Sequence, residues 1–192
     1  PITAFTNKFI PAIKYDLLLL KELQDEWDEI IEDPKKEQFL LELKTNHKLK
    51  DKKIIVFTES RETAEYVGEY LELHYPKKVL VFSGQGSRSV RQEIEANYNP
   101  NYAYEKKDDI KILVTTDVLA EGINLHRSNV IINYDLPWNP TKVMQRVGRI
   151  NRVGTQHDKI YAFNFFPAAQ ANAHLSLEEN IILKIQAFHD TL

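Results

Sequence analysis

Apolar residues in the first 50 positions recur with helical spacing. Leu17, Leu20, Leu23, Trp27, Ile30 and Ile31 follow the i, i+3, i+4, i+7 pattern of one helix face. Asp33-Pro34 breaks the pattern and opens a second helix, with proline at a first helical position. Phe39, Leu40 and Leu43 form its short apolar stripe. From Lys52 onward the texture changes to short, continuous apolar runs, which predict strands buried on both faces. Five such runs lie at 53–58, 78–82, 110–115, 129–134 and 159–165. Helical patterns fall between them. Ser60 can cap a helix carrying Thr63, Ala64, Val67 and Leu71, and a second helix ends near Tyr98, before Asn99-Pro100-Asn101. Pro140 opens a third, running to about Asn151, and a last one fits 175–188. Strands alternating with helices predict a parallel α/β sheet with right-handed crossovers. Ligands of such sheets bind at the carboxyl ends of the strands. That rule points to 58–61, 83–88, 115–122 and 135–139.

Composition narrows the class. The chain has 192 residues, 43% hydrophobic and 28% charged, with six glycines. This excludes collagen-like, low-complexity and mostly disordered chains. No apolar run approaches the ~20 residues of a membrane span, so no membrane partner is expected. No basic-then-apolar start suggests a signal peptide, and the chain opens on Pro1 rather than Met, as a piece trimmed from a longer one does. The absence of cysteine removes disulfides, thiolate metal sites and cysteine nucleophiles, and fits an intracellular location. The six histidines are scattered without H-x-x-H spacing, so no metal site is expected. There is no G-x-x-x-x-G-K-[S/T] phosphate cradle and no strand ending in an Asp-Glu pair. Net charge is −3, yet residues 111–160 hold seven basic and four acidic side chains. Asp25-Glu-Trp-Asp-Glu29 reads as a solvated acidic face, and Trp138 as packing at a strand-to-helix corner.

The candidate chemistry sits at the strand ends. On the helix after Pro140, Gln145, Arg149 and Arg152 share one face, while Val143, Val147 and Ile150 lie roughly opposite. Two guanidinium forks so placed suit phosphate oxygens; an isolated R-x-x-R also reads as a solvated basic face. Thr115, Thr116 and Asp117 end the third run, with Glu121 and Gly122 a short turn later. Hydroxyls and backbone amides there can bind phosphate, and Asp117 can accept from a ribose hydroxyl; an ordinary helix cap is the alternative. Thr58, Ser60 and Arg61 end the first run. Ser83 and Gly84 open a loop with Arg88 and Arg91 beyond it, where plain turn chemistry is again an alternative.

In order along the chain, these segments resemble the second RecA-like motor lobe of superfamily 2 helicases and translocases. Residues 54–64 look like its motif IV, 82–91 like the motif that follows, 114–125 like motif V and 145–152 like motif VI in the form Q-R-x-G-R-x-x-R. Gly122-Ile-Asn-Leu125 and Asp135-Leu-Pro-Trp-Asn-Pro140 look most like the Swi/Snf-type branch, bacterial members included, and 33–37 is similar to its entry helix. Where that branch often has R-x-G-Q after motif VI, this chain has Arg152-Val-Gly-Thr155.

The resemblance, over about 33–166, implies a RecA-like parallel sheet sandwiched by helices, a P-loop NTPase-like fold without its own P-loop. Residues 1–50 would be a helical lead-in packed on the lobe, 51–170 the lobe itself, and 171–192 a C-terminal helix. It further implies that Arg149 and Arg152 are arginine fingers for ATP, with Gln145 at the lobe interface. Asp117, Glu121 and Gly122 would couple nucleotide to the nucleic-acid track. Thr58, Ser60, Arg61, Ser83, Gly84, Thr115 and Thr116 would touch the sugar-phosphate backbone. ATP and Mg2+ would be held mainly by the first RecA-like lobe of the same parent chain, and the nucleic acid would be DNA rather than RNA. The isolated lobe would be inactive. A degenerate lobe serving as a nucleic-acid or protein interaction module is the alternative.

Overall fold

A computed structural model describes residues 2–84, 87–120, 123–151 and 157–166. The chain divides into two compact units, Pro1–Leu40 and Leu41–Leu192. Helix α1 runs Ile2–Asp28 and α2 runs Pro34–Thr45. The first helix stops before Ile30 and Ile31, which the periodicity had assigned to it. The Ile30 amide instead donates to Trp27 O at 3.0 Å, a tight turn that ends the helix. Asp33 then caps α2: its Oδ1 accepts from Lys36 N at 2.9 Å, and its carbonyl accepts from Glu37 N at 3.0 Å. Among the described residues, no helix is long and apolar enough to cross a membrane. The predicted helix at 175–188 lies outside the described residues.

The second unit carries the sheet. Strands β1 (Ile54–Phe57), β2 (Val79–Phe82), β3 (Ile112–Thr115), β4 (Val130–Asn133) and β5 (Tyr161–Asn164) form five parallel strands in the order β2-β3-β1-β4-β5. Each falls within one predicted apolar run; β1, β3 and β4 are buried on both faces as expected, whereas β2 and β5, at the sheet edges, are only partly buried. β1 is central, its four residues in register with 112–115 of β3 on one side and 130–133 of β4 on the other. The chain fills one side of β1 first and then crosses to the other. The crevice where it changes sides lies beside the carboxyl end of β1, the place where doubly wound sheets bind ligands.

Helices α3 (Arg61–His74), α4 (Arg88–Tyr98) and α5 (Pro140–Ile150) cover the sheet. Strand side chains alternate between faces. Ile55, Phe57, Phe82, Leu113 and Ile131 join Ile94 and Tyr98 of α4 and Ile150 of α5 in one buried cluster. α3 lies against β2 and β3 on the opposite face, burying Ala64, Val67 and Leu71. Gly68 makes that approach possible, because a Cβ there would sit 2.1 Å from Val81 Cγ2. Caps set the helix starts: Ser60 accepts from Thr63 N, Ser87 from Val90 N and Asn139 from Thr141 N. Each helix therefore starts just after a strand's carboxyl end, which gathers the polar loops at one pole.

Candidate nucleotide and nucleic-acid interface

α5 brings three cations, Lys142, Arg146 and Arg149, to this pole. Asn139 caps it, Pro140 occupies its first turn, and Val143, Val147 and Ile150 turn inward as the spacing requires. Gln145 is exposed and Arg149 half-exposed, so the predicted face is open to solvent over its described part. Gly148 lies between them, and a Cβ added there would meet nothing within 4 Å. Packing within the described chain therefore does not require this glycine; it leaves open space beside Arg149. Arg152, Glu121 and Gly122 lie outside the described residues.

Sequence reasoning passed over Arg146. Its side chain is fully buried, and every donor edge is used. Nε donates to Asp117 Oδ1 at 2.7 Å and Nη2 to Asp117 Oδ2 at 3.0 Å. Nη2 also donates to Glu59 Oε1 at 2.6 Å, while Nη1 donates to Asn133 Oδ1 at 2.8 Å and Asp135 O at 3.2 Å. The guanidinium carbon stands 5.0 Å from the Phe57 ring centroid. One side chain thus joins the carboxyl ends of β1, β3 and β4 to α5. From outside, Lys142 reaches the same two carboxylates, 3.0 Å from Glu59 Oε2 and 3.3 Å from Asp117 Oδ2. A signal for Arg146 was available: three residues from Val143 and four from Ile150, it is a charge on the apolar face, and such a charge needs a buried partner.

These contacts set the electrostatics. Burial alone would raise the Asp117 carboxyl, but hydrogen bonds and charge from Arg146 and Lys142 outweigh it and hold the group below the usual aspartate range. The hydrogen bond to Glu59 raises Lys142, helped by Asp117. Both Asp117 oxygens are therefore taken within the lobe. Glu59 is fixed further by its amide, which donates to Asp135 Oδ2 at 3.2 Å.

The hydroxyls at the strand ends divide into two kinds. Thr58 and Thr115 are fully buried and use their protons internally: Thr58 donates to Ser60 O at 3.0 Å and Thr115 to Phe82 O at 2.7 Å. Thr116 differs, since its Oγ1 is buried without a hydrogen-bond partner among the described residues. Ser60 caps α3, and exposed Arg61 pairs with Glu65 at 2.7 Å. Ser83 and Gly84 are half-buried at the end of β2, and a Cβ on Gly84 would meet nothing within 4 Å. Trp138 corrects the sequence reading. It is 67% exposed, and Leu136 fills the corner instead, packed with Val143 and Phe166. Clefts of about 280 and 490 Å3 lie at the opposite pole, lined by residues at the starts of strands such as Ile54, Ile112, Asn129 and Tyr161. The strand-end chemistry described here instead presents Gln145 and Arg149 on an open surface.

Comparison with known proteins bears on the family and the fold. The model of the helicase conserved C-terminal domain matches residues 35–154. The chain is 34% identical over 125 residues to the uncharacterised ATP-dependent helicase YqhH of Bacillus subtilis, covering 65% of this chain and 21% of that protein. It is 30% identical over 143 residues to the ATP-dependent RNA helicase DBP8 of Gibberella zeae, covering 73% and 24%. The crystal structure of the C-terminal part of the Fun30 ATPase domain superposes with a TM-score of 0.60 at 22% identity, over 77% of this chain and 46% of that one, and shows likeness of fold alone. The chain spans about a quarter of the length of the two curated relatives. With the motifs in order on a five-stranded parallel sheet, the chain belongs to the helicase conserved C-terminal domain family.

Proposed function

We propose that this chain is the second motor lobe of an ATP-dependent nucleic-acid helicase or translocase. The observation that carries the reading is α5: Arg146 anchors it to three strand ends while Arg149 and Gln145 face outward across open space. Arg149, with Arg152 three residues on, acts as an arginine finger on ATP bound by a first lobe. Such a finger supplies roughly 10³–10⁵ in rate, about 4–7 kcal/mol of transition-state stabilisation. ATP brings Mg2+ to the first lobe. Here Glu59 and Asp117 are already neutralised by Arg146 and Lys142, and no group of three or more metal-ligating side chains occurs among the described residues.

The nucleic-acid grip is assigned to the other strand ends. Ser60, Arg61, Ser83 and Gly84 line the track, and Thr116 contributes to it at the end of β3, where its hydroxyl is buried. Thr58 and Thr115 shape it through the carbonyls they hold. Glu121, Gly122 and Asp117 couple the two sites. Such backbone contacts read no sequence, and a lobe with few of them can release on every cycle. Asp135-Leu-Pro-Trp-Asn-Pro140 supports a Swi/Snf-type motor on DNA, whereas a relative named as an RNA helicase supports RNA.

The test uses the two-lobed protein and measures ATP hydrolysis with DNA and with RNA. Arg149→Ala is expected to lower the stimulated rate by about 10³-fold or more. Full activity in that variant excludes the finger role. A parent protein without any ATPase activity favours the interaction-module alternative, and the polymer that stimulates more strongly decides between DNA and RNA.

A further inference from the structure

The Arg146 cluster joins segments with different proposed tasks. Glu59 lies between Thr58 and Ser60-Arg61 on the proposed nucleic-acid track. Asp117 directly follows Thr115 and Thr116, the second part of that track. Arg146 is one turn before Arg149 on the helix that faces ATP. Between the track and the finger there is therefore a direct chain of charge-assisted hydrogen bonds: 2.6 Å from Glu59 and 2.7 and 3.0 Å from Asp117 to one guanidinium, then along a single helical turn.

The geometry of this cluster suits a transmitter. A guanidinium is planar, and its donors point in fixed directions, so a shift of either carboxylate displaces the whole fork. Apolar packing could absorb such a shift by sliding, but a set of directional bonds with every donor edge used cannot. Lys142 sits four residues earlier on α5, reaching Glu59 Oε2 and also Asp117 Oδ2, which it shares with Arg146. The helix thus grips both strand ends twice, once from inside and once from the surface.

We infer that Arg146 is a positioning residue that couples nucleic-acid contact to ATP hydrolysis, by holding the Glu59 and Asp117 strand ends in register with the helix that presents Arg149. This rests on the proposed reading of the lobe. Nucleic acid seated on the track fixes Glu59 and Asp117; through Arg146 this fixes the azimuth of α5 and hence the reach of Arg149. Without the link the finger still exists, but it no longer responds to the polymer.

The two-lobed protein tests this through the ratio of nucleic-acid-stimulated to basal ATP hydrolysis, with thermal unfolding measured alongside. Glu59→Gln keeps an acceptor for Arg146 but removes the charge, and should lower the ratio about fivefold or more, the lower range of site-to-site coupling. Lys142→Met loosens the outer grip and should lower it by a smaller factor, about twofold. A purely structural role lowers basal and stimulated rates together and leaves the ratio unchanged; that result in a folded Glu59→Gln overturns the inference. If Glu59→Gln does not fold, Lys142→Met decides alone, and an unchanged ratio there overturns it. Arg149→Ala separates the two levels. Undiminished hydrolysis in that variant sinks the finger reading itself, whereas loss there with unchanged ratios in the other variants sinks only the coupling.

Discussion

At the carboxyl ends of the strands one buried cation, Arg146, is held by two carboxylates. At the amino ends one exposed carboxylate, Asp108, is held by three cations: Lys53 at 3.0 Å, Lys111 at 2.6 Å and Arg127 at 3.2 Å. The two clusters are near mirror images in charge, yet the shared ion is buried in one and exposed in the other. The Asp108 side chain is 58% exposed, so water and salt screen its pairs, and such contacts contribute about 0–1 kcal/mol. Arg146 has no contact with solvent, and its charge is tolerated only because every edge is bonded. The difference shows where this fold depends on electrostatics for its shape. The amino pole closes loops that backbone bonds and the core already define. The carboxyl pole uses charge to locate α5, and α5 carries the proposed chemistry.

The largest expected effect is on the buried cluster. Arg146→Met removes the buried cation and leaves the two carboxylates to Lys142 alone, and should destabilise the lobe by about 3 kcal/mol, read as a fall in the urea midpoint. A loss below about 1 kcal/mol would mean that the two poles are energetically alike, contrary to the comparison. Between the poles, Gly68→Ala forces a methyl into Val81 and should cost about 1–3 kcal/mol by overpacking, with neither charge cluster involved. It calibrates the charge effects against a purely steric one.

Acid should act on both poles. Asp117 is held below its ordinary range, and Asp108 is lowered to about 2, first by its hydrogen bond to Lys111 and then by Lys53. Carboxyls that titrate lower when folded contribute stability above their unfolded value, near 4, and lose it as pH falls through the folded one. Stability should therefore drop between about pH 5 and 2. Equilibrium unfolding of the parent and Asp108→Asn across that window should show a shallower slope in the variant. The smallest effect is Asp108→Asn at neutral pH, below about 1 kcal/mol, and it should fade further in about 1 M salt, where the Debye length is about 3 Å. A loss that survives high salt would place Asp108 in the same class as Arg146.

Much of the fold was legible because local rules and tertiary structure agree. Continuous runs such as Ile54-Ile-Val-Phe57 are strands because both faces of the sheet are covered, and Ser60, Ser87 and Asn139 accept the backbone bonds that start helices. The failures have local causes. Ile30 and Ile31 kept helical spacing past a turn closed by the Trp27 carbonyl, a bond that periodicity does not encode. Trp138 looked like a packing residue from its place at a strand-to-helix corner, but its neighbour Leu136 occupies that corner. The outward face of α5 was readable because Gln145 and Arg149 are spaced by one helical turn. Arg146 was passed over because a charge on an apolar face acquires meaning only when its partners are known.

By itself the sequence determined the alternation of strands and helices, the end of the sheet where polar loops collect, and the helix that presents arginine there. These depend on spacing of three or four residues, or on runs of four, and need nothing distant. What the tertiary structure added is the identity of the groups that hold the buried arginine. The partners of Arg146 stand 29 residues away at Asp117 and 87 residues away at Glu59. No local pattern can state such a pairing, because it is created by the strand order that sets β3 and β4 on either side of β1. The same order decides which hydroxyls at the strand ends are used inside the sheet and which, like that of Thr116, are buried without a partner among the described residues.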